Sequence, residues 1–226
     1  MVAIANLALA LSAFVKTLAT PVFEVSEAAS NDLPDFEVGA ANLARRQDYT
    51  QNYRTGGNVN FQSTTNGYSV TFSGAQDFVV GRGWRTGSSR TISYSGTTTA
   101  SSGTVLLSIY GWSTNPLVEY YIQEYSNNNG AAQGSKLGSF ESDGSTYDIW
   151  KHQQVNQPSI RGTTTFWQYI SVRRDMRPNN GTITTANHFK AWADKGMKLG
   201  AMNYQVLATE GWGNAGGSSK NTISAS

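Results

Sequence analysis

The chain has 226 residues, 38% apolar and 14% charged, with a formal net charge of +2. This is enough apolar material for one well-cored domain, and it excludes a disordered chain or one built around a strongly basic nucleic-acid or membrane surface. With no cysteine and only His152 and His188, disulfides are excluded and a transition-metal site is poorly supplied, so neither a metal nor a cofactor is expected.

At the N-terminus, the mostly apolar run from Ala5 to Val15 is too short to span a bilayer but fits the core of a signal peptide over 1–20, although no Lys or Arg precedes it. Residues 21–46 carry Glu24, Glu27, Asp32, Asp35 and Glu37 and end in Arg45-Arg46. They read as an acidic pro-segment with a dibasic processing site, leaving 47–226 as the mature domain. Secretion and a monomeric mature chain are the expectation.

From Gln47 onward, short runs of β-branched and aromatic residues, such as Asn58 to Gln62, Gly67 to Phe72, Arg90 to Ser95 and Thr104 to Trp112, are separated by Gly, Ser and Asn. This pattern predicts an all-β sandwich or jelly roll. One helical segment is predicted over Thr185 to Met197, capped by Thr184 or Thr185, with Phe189 and Trp192 on one face and Gly196 as its stop. His188 on that helix reads as a buried, hydrogen-bonded structural histidine, and Arg173, Arg174 and Arg177 as a solvated cluster. Asn180-Gly181-Thr182 is a glycosylation sequon in a polar turn.

Two strands carry carboxylates. In Val118-Glu119-Tyr120-Tyr121-Ile122-Gln123, the two-residue period sends Glu119, Tyr121 and Gln123 to one face and Val118, Tyr120 and Ile122 to the other. In Tyr204-Gln205-Val206-Leu207-Ala208-Thr209-Glu210, it puts Tyr204, Val206, Ala208 and Glu210 together. Carboxylates beside tyrosines suit a glycan cleft, since sugar rings offer C–H faces to aromatics and hydroxyls to polar groups. Surface ion pairs are the commoner fate of strand glutamates, and pattern alone leaves that alternative open.

The segments Tyr110-Gly111-Trp112, Asn115-Pro116-Leu117-Val118-Glu119-Tyr120-Tyr121, Val155-Asn156-Gln157-Pro158-Ser159-Ile160, Ser171-Val172-Arg173-Arg174, Asn187-His188-Phe189 and Glu210-Gly211-Trp212 occur in this order. Together they make the chain resemble the family-11 glycoside hydrolases, endo-1,4-β-xylanases with a β-jelly-roll fold. The resemblance runs through essentially all of 47–226. It implies two twisted antiparallel sheets forming a cleft, with one helix packed outside.

It further implies xylan as substrate and a retaining mechanism, with Glu119 as nucleophile and Glu210 as acid/base. The two carboxyls would then be ~5–5.5 Å apart. Tyr110, Tyr121 and Gln168 match residues around the nucleophile, and Tyr204 matches a cleft tyrosine. Pro158, Ser159 and Ile160 match the tip of a thumb loop over the substrate. Trp212 and, as a stacking platform on the first strand, Tyr53 complete the implied binding set.

Asp77 matches the neighbour of the acid/base that tunes its titration, and an aspartate there implies an acidic optimum. Gln154 departs from the family, which usually carries an arginine at the thumb base. A lectin-like xylan-binding jelly roll and a β-1,4-glucanase on a similar sandwich are the alternatives from other classes.

Overall fold

Ten strands and one helix account for most of the described residues, 46–128 and 130–226 of this computed structural model. The expected leader, the acidic segment and Arg45 lie outside them. In chain order the elements are β1 (Tyr49–Arg54), β2 (Asn58–Thr64), β3 (Gly67–Trp84), β4 (Thr91–Thr114), β5 (Val118–Ser126), β6 (Ser135–Ser142), β7 (Ser145–Gln157), β8 (Thr164–Arg173), β9 (Asn180–Thr184), α1 (Thr185–Asp194) and β10 (Ala201–Ala225). No described helix is long and apolar enough to cross a membrane.

The main hydrogen-bonded path is β1-β3-β10-β4-β5-β8-β7-β6, with β2 also on β3 and β9 also on β4. Three of these strands are far longer than the sequence runs suggest: 18 residues in β3, 24 in β4 and 25 in β10. Each turns at one level. Gly74, Gly103 and the Gly213-Asn214 pair all have positive φ, and the β10 register slips beside them, between Trp212 and Gly217. Left-handed residues and bulges bend a ladder without ending it. At Gly103 the need for glycine is also steric, because a Cβ there would lie 2.6 Å from the Trp212 carbonyl oxygen.

The bend folds the sheet onto itself as two layers, and the Tyr68 hydroxyl in the outer half bonds the Thr209 hydroxyl of the inner half at 2.7 Å. Between the layers lies a core that includes Tyr68, Phe72, Phe78, Trp84, Ile109, Tyr120 and Ile122, and α1 adds Trp192 to it. The opposite face of the inner layer is a second apolar surface, with Leu106, Tyr110, Trp112, Tyr121, Ile170, Tyr204 and Val206. The two-residue period therefore partitions β5 and β10 as their sequences predict.

Pairing is antiparallel except between β5 and β8, which run parallel with Glu119 opposite Gln168. The helix ends at Asp194, before Met197, with Gly196 at φ +75° as the stop. Its N-cap, Thr184, makes no side-chain capping bond; the hydroxyl donates instead to Asp143 at 2.8 Å.

Two further expectations are corrected. His188 is fully buried, but neither ring nitrogen has a hydrogen-bond partner, and the ring packs edge-on against Tyr147 and Phe140. The arginine cluster is not simply solvated. Arg173 is buried and donates to Tyr147 and to the Asp143 and Asp175 carbonyls, while Arg177 pairs with the fully buried Glu124. Asn180 is exposed at the start of β9.

Candidate active site

The concave face of the inner layer forms a cleft of about 360 Å³. Tyr53, Asp77, Tyr110, Glu119, Tyr121, Pro158, Ser159, Ile160, Gln168, Tyr204 and Glu210 all line it. Trp212 lines an adjoining pocket that shares Asp77, Glu210, Tyr121, Gln154 and Gln168 with the cleft. All the residues singled out in the sequence for this region thus line the cleft, except Trp212, which lines the adjoining pocket.

Sheet register explains the convergence. Strand β4 runs between β5 and β10, with Glu119 opposite Trp112 on one side and Glu210 opposite Leu106 on the other. Leu106, Tyr110 and Trp112 share a parity, so both glutamates project from the face that carries Tyr110. Beyond β10, Glu210 lies opposite Val79, and Val79 lies opposite Tyr53. Asp77 lies opposite Trp212, which makes Asp77 and Glu210 diagonal neighbours on that face.

The two carboxyls have contrasting surroundings. Glu119 is buried at 8% exposure, and its two oxygens accept three hydrogen bonds. Tyr110 and Tyr121 donate to Oε1 at 2.7 and 3.1 Å, and the Gln168 amide donates to Oε2 at 2.7 Å. The Tyr110 hydroxyl in turn accepts from the Trp112 indole at 2.9 Å, which leaves its own proton aimed at Glu119. Glu210 Oε2 is shielded from solvent and has no hydrogen-bond partner.

Desolvation raises the Glu119 pKa, opposed by the donors Gln168, Tyr110 and Tyr121 and assisted by the charge of Asp77. Glu210 is pushed well above the usual carboxylate range, by desolvation first and then by the charges of Glu119 and Asp77. Burial also raises Asp77. No hydrogen bond joins Asp77 to Glu210, so the two couple through space.

Around this pair the cleft is aromatic. Tyr49 stacks on Tyr204 at 4.5 Å with 17° between their planes, and Tyr110 packs against Tyr204 and Tyr121 at 5.9 and 5.0 Å. Tyr53 is 36% exposed at the rim, as a stacking platform requires. The loop between β7 and β8 overhangs the cleft as a closed turn. Within it, Ser159 and Gly162 exchange backbone hydrogen bonds at 3.0 and 3.1 Å, the Ser159 hydroxyl bonds the Gly162 carbonyl at 2.7 Å, and Gly162 takes φ +80°.

The sequence reading missed Tyr49, Gln51, Trp112, Phe166 and Gln157 as lining residues. Odd-numbered parity along β1 could have drawn Tyr49 and Gln51 in with Tyr53. The stacking of Tyr49 on Tyr204 had no local signal.

A two-layer β fold with an aromatic cleft that holds two inequivalent carboxyls, Glu119 buried and Glu210 half-buried, is the arrangement of a glycoside hydrolase. The chain belongs to one such group, because the description for Glycosyl hydrolases family 11 matches residues 45–221. It is 51% identical over 227 residues to endo-1,4-beta-xylanase 1 of Hypocrea jecorina (strain QM6a), covering 97% of this chain and 98% of that one. It is 55% identical over 178 residues to ethylene-inducing xylanase 2 of Botryotinia fuckeliana, covering 78% and 79%. A solved endo-1,4-β-xylanase structure from Trichoderma reesei superposes with a TM-score of 0.76 at 54% identity, covering 79% of this chain and 98% of that one.

Proposed function

We propose that the protein is an endo-1,4-β-xylanase that hydrolyses internal xylosidic bonds with retention of anomeric configuration, Glu119 acting as nucleophile and Glu210 as acid/base. The observation that carries this reading is the inequality of the two carboxyls. Glu119 has three donors that favour its ionised form, while Glu210 Oε2 has none, and the desolvation of Glu210, only partly opposed by Tyr121, favours the neutral acid.

In the first step, Glu119 attacks the anomeric carbon as Glu210 gives its proton to the departing glycosidic oxygen, so a covalent xylosyl-Glu119 forms and the aglycone leaves. With the Glu119 charge consumed in an ester, a principal influence holding the Glu210 proton disappears. Glu210, now ionised, takes a proton from water, whose oxygen attacks the anomeric carbon, displaces Glu119 and restores both groups.

Tyr110, Tyr121 and Gln168 hold the nucleophile. Tyr204, Tyr53 and Trp212 contact the sugar chain, Asp77 tunes Glu210, and the Pro158-Ser159-Ile160 tip covers the substrate. Residues 1–20 direct secretion and 21–46 are removed, which N-terminal sequencing of the secreted protein checks.

The test is reducing-sugar release from xylan and from carboxymethyl cellulose by the wild type and by Glu119→Gln and Glu210→Gln. Hydrolysis of xylan, with each substitution lowering the rate by ~10²–10⁴-fold or more, is expected. Binding without hydrolysis by the wild type would indicate a lectin-like role, and preference for cellulose a glucanase.

A further inference from the structure

Gln154 stands on β7, at the base of the overhanging loop, and its side chain lines the cleft. Register places Gln154 opposite Phe166 and His152 opposite Gln168 on β8, so Gln154 and Gln168 are diagonal neighbours. The Gln154 amide Nε2 donates to Gln168 Oε1 at 3.3 Å, and the Gln168 amide Nε2 donates to Glu119 Oε2 at 2.7 Å.

A primary amide has two unlike ends. With Oε1 toward Glu119, Gln168 would set one acceptor against another, and with Nε2 there it donates to the carboxylate. No other protein donor to Gln168 Oε1 is present among the described residues. The Glu119 carboxylate, which can only accept, fixes which way round Gln168 sits, and Gln154 satisfies the Gln168 oxygen that this leaves facing away.

We propose that Gln154 is a positioning residue: by donating to the outward-facing oxygen it restrains the Gln168 side chain where its amide donates to the nucleophile, and thereby ties the base of the β7–β8 loop to Glu119. This rests on the nucleophile role proposed for Glu119. Gln154 acts through Gln168, so its effect falls on the reactivity and titration of Glu119 and leaves the sugar-stacking surface intact. The loop tip is three residues further on from Val155, and the β7–β8 register slips between Gln154 and Gln157. Besides Gln168, the groups facing Glu119 are Tyr110 of β4, Tyr121 of β5, Asp77 of β3, and Tyr204 and Glu210 of β10. None of these bonds Gln154.

The experiment compares wild type, Gln154→Met and Gln154→Arg, with Glu119→Gln as control, through kcat and KM on xylo-oligosaccharides across pH. Methionine keeps the length and removes the donor, whereas arginine keeps an N–H. In Gln154→Met, kcat falls about three- to tenfold, the span of one ordinary hydrogen bond, while KM changes less than about twofold. Loss of a donor to the ionised carboxylate also moves the acid limb of kcat/KM to higher pH. Gln154→Arg returns that limb to the wild-type position.

A Gln154→Met enzyme with wild-type kcat and acid limb overturns the proposal, as does one whose only change is a raised KM, the mark of a plain sugar contact. An active Glu119→Gln enzyme overturns the nucleophile assignment and the relay together. An inactive Glu119→Gln beside an unaltered Gln154→Met overturns the relay alone.

Discussion

Replacing Asp77 with asparagine keeps the size of the side chain and removes its charge at every pH. Asp77 and Glu210 are diagonal neighbours on adjacent strands, and both line the cleft. In the proposed mechanism Glu210 releases its proton as the glycosidic bond breaks, and an ionised Asp77 beside it would oppose the charge that develops there. At a diagonal separation of about 7 Å and an effective dielectric of about 20, two unit charges repel by about 2 kcal/mol. That is roughly a thirtyfold handicap in rate.

The enzyme therefore works best while Asp77 is protonated. Its activity declines as Asp77 ionises, well before Glu210 does, because burial lifts Asp77 but lifts Glu210 much further. The wild type has an acidic optimum on this account. In Asp77→Asn the basic limb passes to Glu210 and moves to higher pH. Initial rates on a soluble xylo-oligosaccharide across pH measure it. Near about pH 7 the variant should keep a fraction of its own maximum at least about tenfold greater than the wild type keeps of its maximum. A limb that moves to lower pH would instead mean that Asp77 acts only as a fixed negative charge holding the proton on Glu210.

Tyr110→Phe removes the shortest tyrosine donor to Glu119 and the acceptor of the Trp112 indole, so it should lower kcat on xylan about ten- to a hundredfold and lower stability by about 1–3 kcal/mol; an undiminished kcat would deny Tyr110 that role. Arg177→Met leaves the buried Glu124 carboxylate without its ion-pair partner, and denaturant unfolding at neutral pH should show a loss of about 3–5 kcal/mol. The His188 pKa is lowered from 6.5 to about 3, chiefly by desolvation. Between those values the folded state binds fewer protons than the unfolded one, so His188 costs stability progressively as pH falls through that window. His188→Leu should lose less stability than wild type over the same descent, and parallel stability profiles would contradict this.

Local periodicity made much of the cleft legible. Glu119 with Tyr121, and Glu210 with Tyr204, share faces because a strand alternates, and the order of motifs along the chain gave these residues their implied roles. What could not be read locally is set by pairing across long sequence separations. Asp77 meets Glu210 only because β3 pairs with β10, and Gln168 reaches Glu119 only because β5 and β8 run parallel. Glycines that look like strand ends, such as Gly74 and Gly103, instead bend continuous strands, so short runs became three long ones. His188 carried no sign that its nitrogens would be unpartnered, since the rings enclosing it come from β6 and β7.

In the proposed mechanism Glu119 forms a covalent bond to the sugar. Incubation with an activated 2-deoxy-2-fluoro-xylobioside, whose fluorine slows release of the glycosyl-enzyme, followed by peptide mass mapping, tests it most directly. Time-dependent inactivation with one fluorosugar ester on Glu119 and β-configured first products from xylan are expected. A label on Glu210, or α-configured first products without any covalent adduct, would contradict it.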